Sequence, residues 1–295
     1  GCELPEAFQA LMVSGKPPVW INLEYLSAED FVERCHGLPS PVMSGPAKGC
    51  TKWFFYPGFT PATGGLLCEP DLLERQAKFN TDDWLAKLGL PLRKDARRVS
   101  LFCYEPAVLS TWLQQIANLS TPIDLLVAPG RPQAAVKAAL HSLGWTSEAS
   151  AWLQGESAVQ GQLSLHPLTY LSQTDFDHLL WSCDLNMVRG EDSLVRAIWA
   201  GRPMVWQIYE QEDQAHLVKL NAFLESHTLA MPAHVADAIK AMFMAWNTGV
   251  GLEAAWPEFF GLRTQIAEQQ KNWAKKLVDR NDLASNLVKF CAKGL

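Results

Sequence analysis

The chain has 295 residues, 48% of them apolar, with 12 tryptophans, a composition that excludes a disordered chain and suits two ordinary domains with their own cores. A formal net charge of −6 without any Lys/Arg run argues against non-specific nucleic-acid binding, and no run of 18 apolar residues or signal-peptide pattern points to a membrane span. The seven cysteines (Cys2, Cys35, Cys50, Cys68, Cys103, Cys183 and Cys291) are odd in number and lack Cys-x-x-Cys or His/Cys ligand spacing, so we expect reduced, mostly buried thiols, no metal site and a cytoplasmic protein.

The chain opens with Gly1, and Cys2 to Phe8 reads as a loop entering a helix with Pro5 near its first turn; a preceding segment is expected. A helix is predicted over 5–14, a buried strand over 18–23, and a short helix over 28–35, where Ser27 and Asp30 resemble a capping box. Between 36 and 66 the texture changes to Pro, Gly and aromatics, as in functional loops, although Trp53 to Tyr56 fits an aromatic strand better. Residues 69–91 read helical, followed by a charged linker from Leu90 to Arg98. Apolar runs and amphipathic stretches then alternate: strand 99–104, helix 107–118, strand 124–128 ending at Pro129-Gly130, helix 132–143, strand 163–168, helix 174–181, strand 184–188, helix 191–200, strand 203–208, helix 214–226. This alternation predicts an α/β doubly wound parallel sheet. Residues 232–247 and most of 257–291 read helical.

The most informative stretch is Trp181 to Trp206, a βαβ unit with Arg189-Gly190-Glu191-Asp192-Ser193 packed into its first turn. In open α/β sheets ligands sit outside the carboxyl ends of strands, where helix N-termini attract anions. Arg189 supplies charge, Gly190 permits close approach to the backbone, and the matching guest is a phosphate or pyrophosphate. The same residues also read as a cap cluster, with Asp192 or Ser193 as N-cap. Glu210, Glu212, Asp213 and His216 after the next strand put a second polar cluster at the same edge and favour a site. Tyr170, Gln173 and Phe176, with Phe102 and Tyr104 after the domain's first strand, can frame a flat ligand, two rings sandwiching a nucleobase while an amide reads its edge; a core stripe at i, i+3, i+6 explains the spacing equally simply.

These residues together resemble one family, the bacterial protein-arginine rhamnosyltransferases of translation elongation factor P (the EarP family). The likeness runs through Asn22 to Glu29, Cys35 to Ser40, Phe54 to Phe59, Thr63 to Leu67, Leu101 to Glu105, Trp181 to Trp206 and Glu212 to Leu220, nearly the whole chain. It implies a GT-B fold, two Rossmann-like domains facing a cleft. It also implies inverting, metal-independent transfer of rhamnose from dTDP-β-L-rhamnose to an arginine of elongation factor P, with no cofactor. By this resemblance Phe102, Tyr104, Tyr170, Gln173 and Phe176 hold the thymidine part. Arg189, Glu191, Asp192 and Ser193 meet the pyrophosphate and sugar, with Gly190 in the same donor-binding turn, and we expect Glu191 to be the catalytic residue. Tyr170 stands where the family often has Phe, which keeps the ring. The family's opening strand and its Asp-Asn-Tyr-Gly-Asp loop are not matched, so the first domain is expected to be incomplete, with acceptor chemistry on preceding sequence. The expected division is 1–92 as a partial acceptor-binding domain, 93–262 as the donor domain and 263–295 as a helical segment packing back. The alternatives are a truncated, non-catalytic nucleotide-sugar or partner-binding module, and a GT-B sugar-nucleotide epimerase.

Overall fold

The structure, a computed structural model, describes residues 4–16, 18–211, 213–278 and 282–292; Cys2 and Glu212 lie outside them. α1 (Glu6–Val13) and β1 (Trp20–Leu23) fall where predicted. α2 (Asp30–Cys35) is shorter than expected because no capping box forms: Ser27 Oγ donates to Glu29 Oε2 at 2.8 Å and accepts from Glu29 N at 3.1 Å, a local turn that competes with helix. The aromatic segment becomes β3 (Thr51–Phe55), paired with a short β2 (Pro39–Pro41) that has no counterpart in the sequence reading. The helix expected over 69–91 is two, α3 (Leu72–Lys78) and α4 (Thr81–Lys87), because Asn80 Oδ1 accepts from Asp82 N and Asp83 N and starts a new helix.

β4 (Arg97–Leu101) begins two residues before the predicted strand and ends three before it. α5 (Leu109–Ala117), β5 (Ile123–Val127) and α6 (Arg131–Ser142) follow as expected, whereas α7 (Thr146–Leu153) and the three-residue β6 (Ala158–Gln160) are additional. β7 (Leu163–Pro167), α8 (Gln173–Ser182), β8 (Leu185–Arg189), α9 (Gly190–Ala200), β9 (Met204–Gln207), α10 (Ala215–Thr228) and α11 (Ala233–Thr248) match the predicted series. The remainder forms α12 (Leu252–Gly261), α13 (Arg263–Val278) and α14 (Leu283–Ala292).

The chain forms two compact units, one comprising residues up to 70 with 217–227 and 275–295, the other 71–216 with 228–274. In the first unit β1 pairs parallel and β2 antiparallel with β3. The Phe55 ring lies 5.4 Å from Phe290 of α14, which also approaches Trp53 and His36 at 6.1 and 6.3 Å. Leu283 N and Asn286 Nδ2 donate to Leu66 O and Gly64 O, each at 3.0 Å. The Gly64-Gly65 pair has a packing origin: a Cβ on Gly64 would lie 2.5 Å from the Phe55 ring.

The second unit holds a six-stranded sheet in the order β6-β7-β5-β4-β8-β9, parallel except for the edge strand β6. The chain steps outward one way from β4 through β5 to β7 and the other way through β8 to β9. Right-handed crossovers therefore place α5 and α6 on one face and α9 on the other. All five residues of β5 are buried, as expected of a parallel strand covered on both faces. Trp112 of α5 meets Trp246 of α11 and Trp256 of α12 edge-on at 5.1 and 5.4 Å. Residues 71–92 pack here as well: Trp84 and Leu85 join Leu126, Leu168 and Leu179 in one core cluster, and Trp84 Nε1 donates to Asp175 Oδ1 at 3.2 Å. The charged linker is docked too. Arg93 donates to Asp124 through its backbone N at 2.8 Å and through Nε at 3.0 Å. Beneath α8 and α9, Arg196 Nε donates to Asp177 Oδ1 at 2.7 Å, with both side chains nearly out of water.

Among the described residues all six cysteines are free thiols; Cys103 and Cys183 are buried and the other four half-buried, so fewer are sequestered than expected. No described helix is long and apolar enough to cross a membrane. In the first unit the His227 ring stacks on Phe223 at 5.4 Å, and burial pushes its pKa down to about 3. The unfolded chain takes up this proton near pH 6.5 and the folded chain only near the lower value, so the contribution is intact above pH 6.5 and lost as pH falls. Between pH 7 and 5 this group removes about 2 kcal/mol of stability. Urea unfolding of His227→Phe is expected to show a loss smaller by that amount, and an unchanged loss would assign the titration elsewhere.

Candidate functional site

A pocket of about 600 Å³ opens in the second unit at the carboxyl ends of its parallel strands, within the range of small-molecule sites. It is built from the residue after β4 (Phe102), the turn after β5 (Ala128 to Arg131), the segment from Tyr170 to the start of α8, and the junction of β8 with α9. β4 and β8 are hydrogen-bonded neighbours whose following helices lie on opposite faces, so the pocket occupies the switch point of the sheet.

Arg189 ends β8 and lies over two rings, its Cζ 4.3 Å from the Phe102 centroid and 4.5 Å from that of Tyr104. Its Nε is buried and makes no hydrogen bond among the described residues. An orphaned buried donor on a cation is expensive, and beside a pocket it matches an anionic ligand. Tyr104 is held from behind: its backbone N donates to Gln207 Oε1 at 2.8 Å, and Tyr209 meets its ring edge-on at 5.6 Å. Phe102 meets Phe176 edge-on at 5.5 Å.

The chain turns into α9 through Gly190 at φ +68°, a conformation other residues rarely adopt, and Trp206 Nε1 fixes the turn by donating to Gly190 O at 2.9 Å. The helix has no side-chain cap, so the reading of Asp192 or Ser193 as N-cap fails. Gly190 makes the turn instead, and the first-turn N–H groups are not taken by a capping side chain. Glu191, Asp192 and Ser193 all line the pocket, half-buried, exposed and buried respectively.

Phe102, Tyr170, Gln173, Phe176, Arg189 and Gly190 line it as well, while Tyr104 stands behind Arg189. The core-stripe alternative is overturned for Tyr170, 86% exposed, and for Gln173, also exposed. Phe176 serves both purposes, lining the pocket and packing on the cluster around Leu168 and Leu179. Of the second polar cluster, Glu212 lies outside the described residues, and Glu210, Asp213 and His216 do not line the pocket. His216 is buried, with Nδ1 accepting from Gln211 N at 3.1 Å, and Asp213 Oδ1 accepts from Ala215 N; these residues close a loop. Arg131 and Ser172 line the pocket without having been singled out. The signal available was Pro129-Gly130, which ends β5 at the same sheet edge. Cys103, between the two aromatic residues, is no nucleophile: burial pushes its thiol up to about 12. Among the described residues no three His, Cys, Asp or Glu side chains are grouped to hold a metal ion.

A family model for the elongation factor P (EF-P) rhamnosyltransferase EarP matches residues 1–292. The chain belongs to the EarP family. A protein-arginine rhamnosyltransferase of Pseudomonas aeruginosa is 44% identical over 303 residues, covering 100% of this chain and 77% of the relative. The corresponding enzyme of Pseudomonas putida is 41% identical over 100% of this chain and 77% of its own, and one from Neisseria meningitidis is 32% identical over 99% and 75%. A solved structure from work on EarP-mediated arginine glycosylation of translation elongation factor EF-P superposes with a TM-score of 0.70 at 34% identity, over 81% of this chain and 75% of that one. The fold class is accordingly the α/β GT-B class expected from the sequence, and the chain is a member of an enzyme family, the protein-arginine rhamnosyltransferases.

A Cβ on Gly190 would make only an ordinary 3.7 Å contact with Tyr104 Oη, so the cost of Gly190→Ala is its backbone conformation, about 1–2 kcal/mol. Chemical denaturation is expected to show that loss. Unchanged stability would mean that the turn relaxes out of the left-handed region, and the α9 start with it.

Proposed function

We propose that the pocket of the second unit holds dTDP-β-L-rhamnose and that the protein transfers rhamnose, with inversion and without a metal, to an arginine of elongation factor P in the cytoplasm. The observation that carries this reading is Arg189, its buried Nε unpartnered, stacked on Phe102 and Tyr104 beside an uncapped helix start. In a protein of this family that combination suits a nucleoside diphosphate. The base enters between the rings of Phe102, Phe176 and Tyr170, with the Gln173 amide reading its edge. The diphosphate meets Arg189 and the first N–H groups of α9, with Ser193 and Asp192 toward the sugar.

A guanidinium is charged near neutral pH and is a poor nucleophile. It must be oriented and give up a proton to a neighbouring carboxylate as its nitrogen bonds to the anomeric carbon, the bond from that carbon to the diphosphate oxygen breaks, and dTDP departs with the electron pair. Negative charge developing on the leaving diphosphate falls on Arg189 and the α9 dipole, which are preorganised for it. Glu191, in the same lining, is the carboxylate assigned to orient the reacting groups.

Calorimetric titration is expected to show dTDP-rhamnose bound at least tenfold more tightly than UDP-glucose, and Phe176→Ala weakening it by about tenfold, in line with roughly 1–3 kcal/mol per stacked base. Equal binding of both nucleotide sugars would remove the thymidine assignment. Glu191→Gln is expected to cut rhamnosylation of elongation factor P, followed by intact mass, by about 10²–10⁴-fold with donor affinity retained. Turnover at the wild-type rate would remove the catalytic assignment.

A further inference from the structure

Two guanidinium groups of this pocket face one ring behind its lining. Arg189 Cζ lies 4.5 Å from the Tyr104 centroid and Arg131 Cζ 4.9 Å from it, and both arginines line the cavity. Arg131 is the first residue of α6, directly after Gly130 at φ +81°. Its Nε donates to Glu105 Oε1 at 2.8 Å and its Nη2 to Glu105 Oε2, a planar fork that holds the Glu105 carboxyl below its usual range. Glu105 is outside the pocket lining, so the fork ties the Arg131 guanidinium to a carboxylate that does not itself line the cavity.

The charge balance makes this arrangement informative. The lining carries two carboxylates, Glu191 and Asp192, and two arginines, Arg189 and Arg131. Arg131 is paired with Glu105, a carboxylate outside that lining, and an incoming diphosphate brings more negative charge than Arg189 alone balances. The partners of the fork are about half exposed, 52% and 54%, and ion pairs between exposed groups contribute little net free energy. A phosphate offers the same bidentate acceptor geometry as a carboxylate with more charge.

We propose that Arg131 is a second diphosphate-binding residue, held over Tyr104 by Glu105 and exchanged from that carboxylate onto the phosphates when nucleotide enters. The proposal rests on the nucleotide reading of the pocket given above. Glu105 is then a positioning residue that stores the charge beside the site.

The test titrates dTDP and thymidine into the wild-type protein, Arg131→Ala, Glu105→Gln and the double variant, each checked for an unchanged near-UV circular dichroism spectrum. Arg131→Ala is expected to weaken dTDP by about tenfold, the loss of one charge-assisted hydrogen-bonded contact, and to leave thymidine within about twofold. Glu105→Gln is expected to bind dTDP about two- to threefold more tightly, a gain that vanishes in the double variant because the freed arginine is gone. Wild-type dTDP affinity in Arg131→Ala would overturn the proposal, as would equal losses of dTDP and thymidine, which would make Arg131 a mere support for Tyr104. Weakening of dTDP by Glu105→Gln would overturn it too. A wild-type protein that binds neither ligand would instead overturn the nucleotide reading, so the two failures are told apart.

Discussion

The pairing of β4 with β8 is the constraint on which the rest of the second unit depends. Val99, Ser100 and Leu101 register with Leu185, Asn186 and Met187, and the buried Ser100 Oγ donates to Asn186 Oδ1 at 2.7 Å while Asn186 Nδ2 donates onward to Leu180 O. A polar pair buried in an otherwise apolar sheet is stable only when its hydrogen bonds are satisfied, which fixes how the two strands align. At this junction the helices part to opposite faces, and the gap opens between their starting points. Phe102 and Arg189 arrive there as the residues that follow and end those two strands. The cation–ring stack is therefore a product of strand register, and a slip of one residue in either strand would turn that strand's side chain to the other face and part the pair.

The site is electrostatically mixed. Arginine stacked on aromatic rings keeps its charge while losing part of its hydration, and its planar group is more weakly hydrated than an ammonium. Arg189, stacked on Phe102 and Tyr104 with its buried Nε unpartnered among the described residues, has this character. Two carboxylates, Glu191 and Asp192, share the lining on the α9 turn. The Arg196–Asp177 fork beneath α8 and α9 ties together the two helices whose first turns line the pocket, so removing one partner would leave a buried charge and disturb both.

Much of this was legible in the residues. Continuous apolar runs such as Ile123 to Val127, alternating with amphipathic stretches, announce a parallel sheet, and the Arg-Gly-Glu-Asp-Ser turn announces a strand-to-helix junction with polar cargo. The boundary at Asn80 was hidden because a capping residue inside a helical pattern looks like one more polar position. The alternative of Asp192 or Ser193 as a cap could not be dismissed from the residues, because sequence shows favoured capping types and does not show that Gly190 takes a positive φ. Short elements such as β6 exist only through their partners. That Trp84 belongs with the second core follows from a contact 91 residues away in sequence, which no local pattern reports. Arg131 was obscured for the same reason: its significance lies in a shared ring and not in a motif.

The first unit gathers residues up to 70, then 217–227, then 275–295, and this order has a consequence for biosynthesis. Its aromatic strand emerges from the ribosome early, yet the ring that covers Phe55 belongs to Phe290. At roughly 5–20 residues per second that partner arrives roughly 10–50 s later. Throughout that interval Trp53 and Phe55 lack their final cover, while the whole second unit, 71–216 with 228–274, is made within it. The aromatic strand is thus made well before the helix that covers it, and the nascent chain carries a timed apolar surface that only its far end closes.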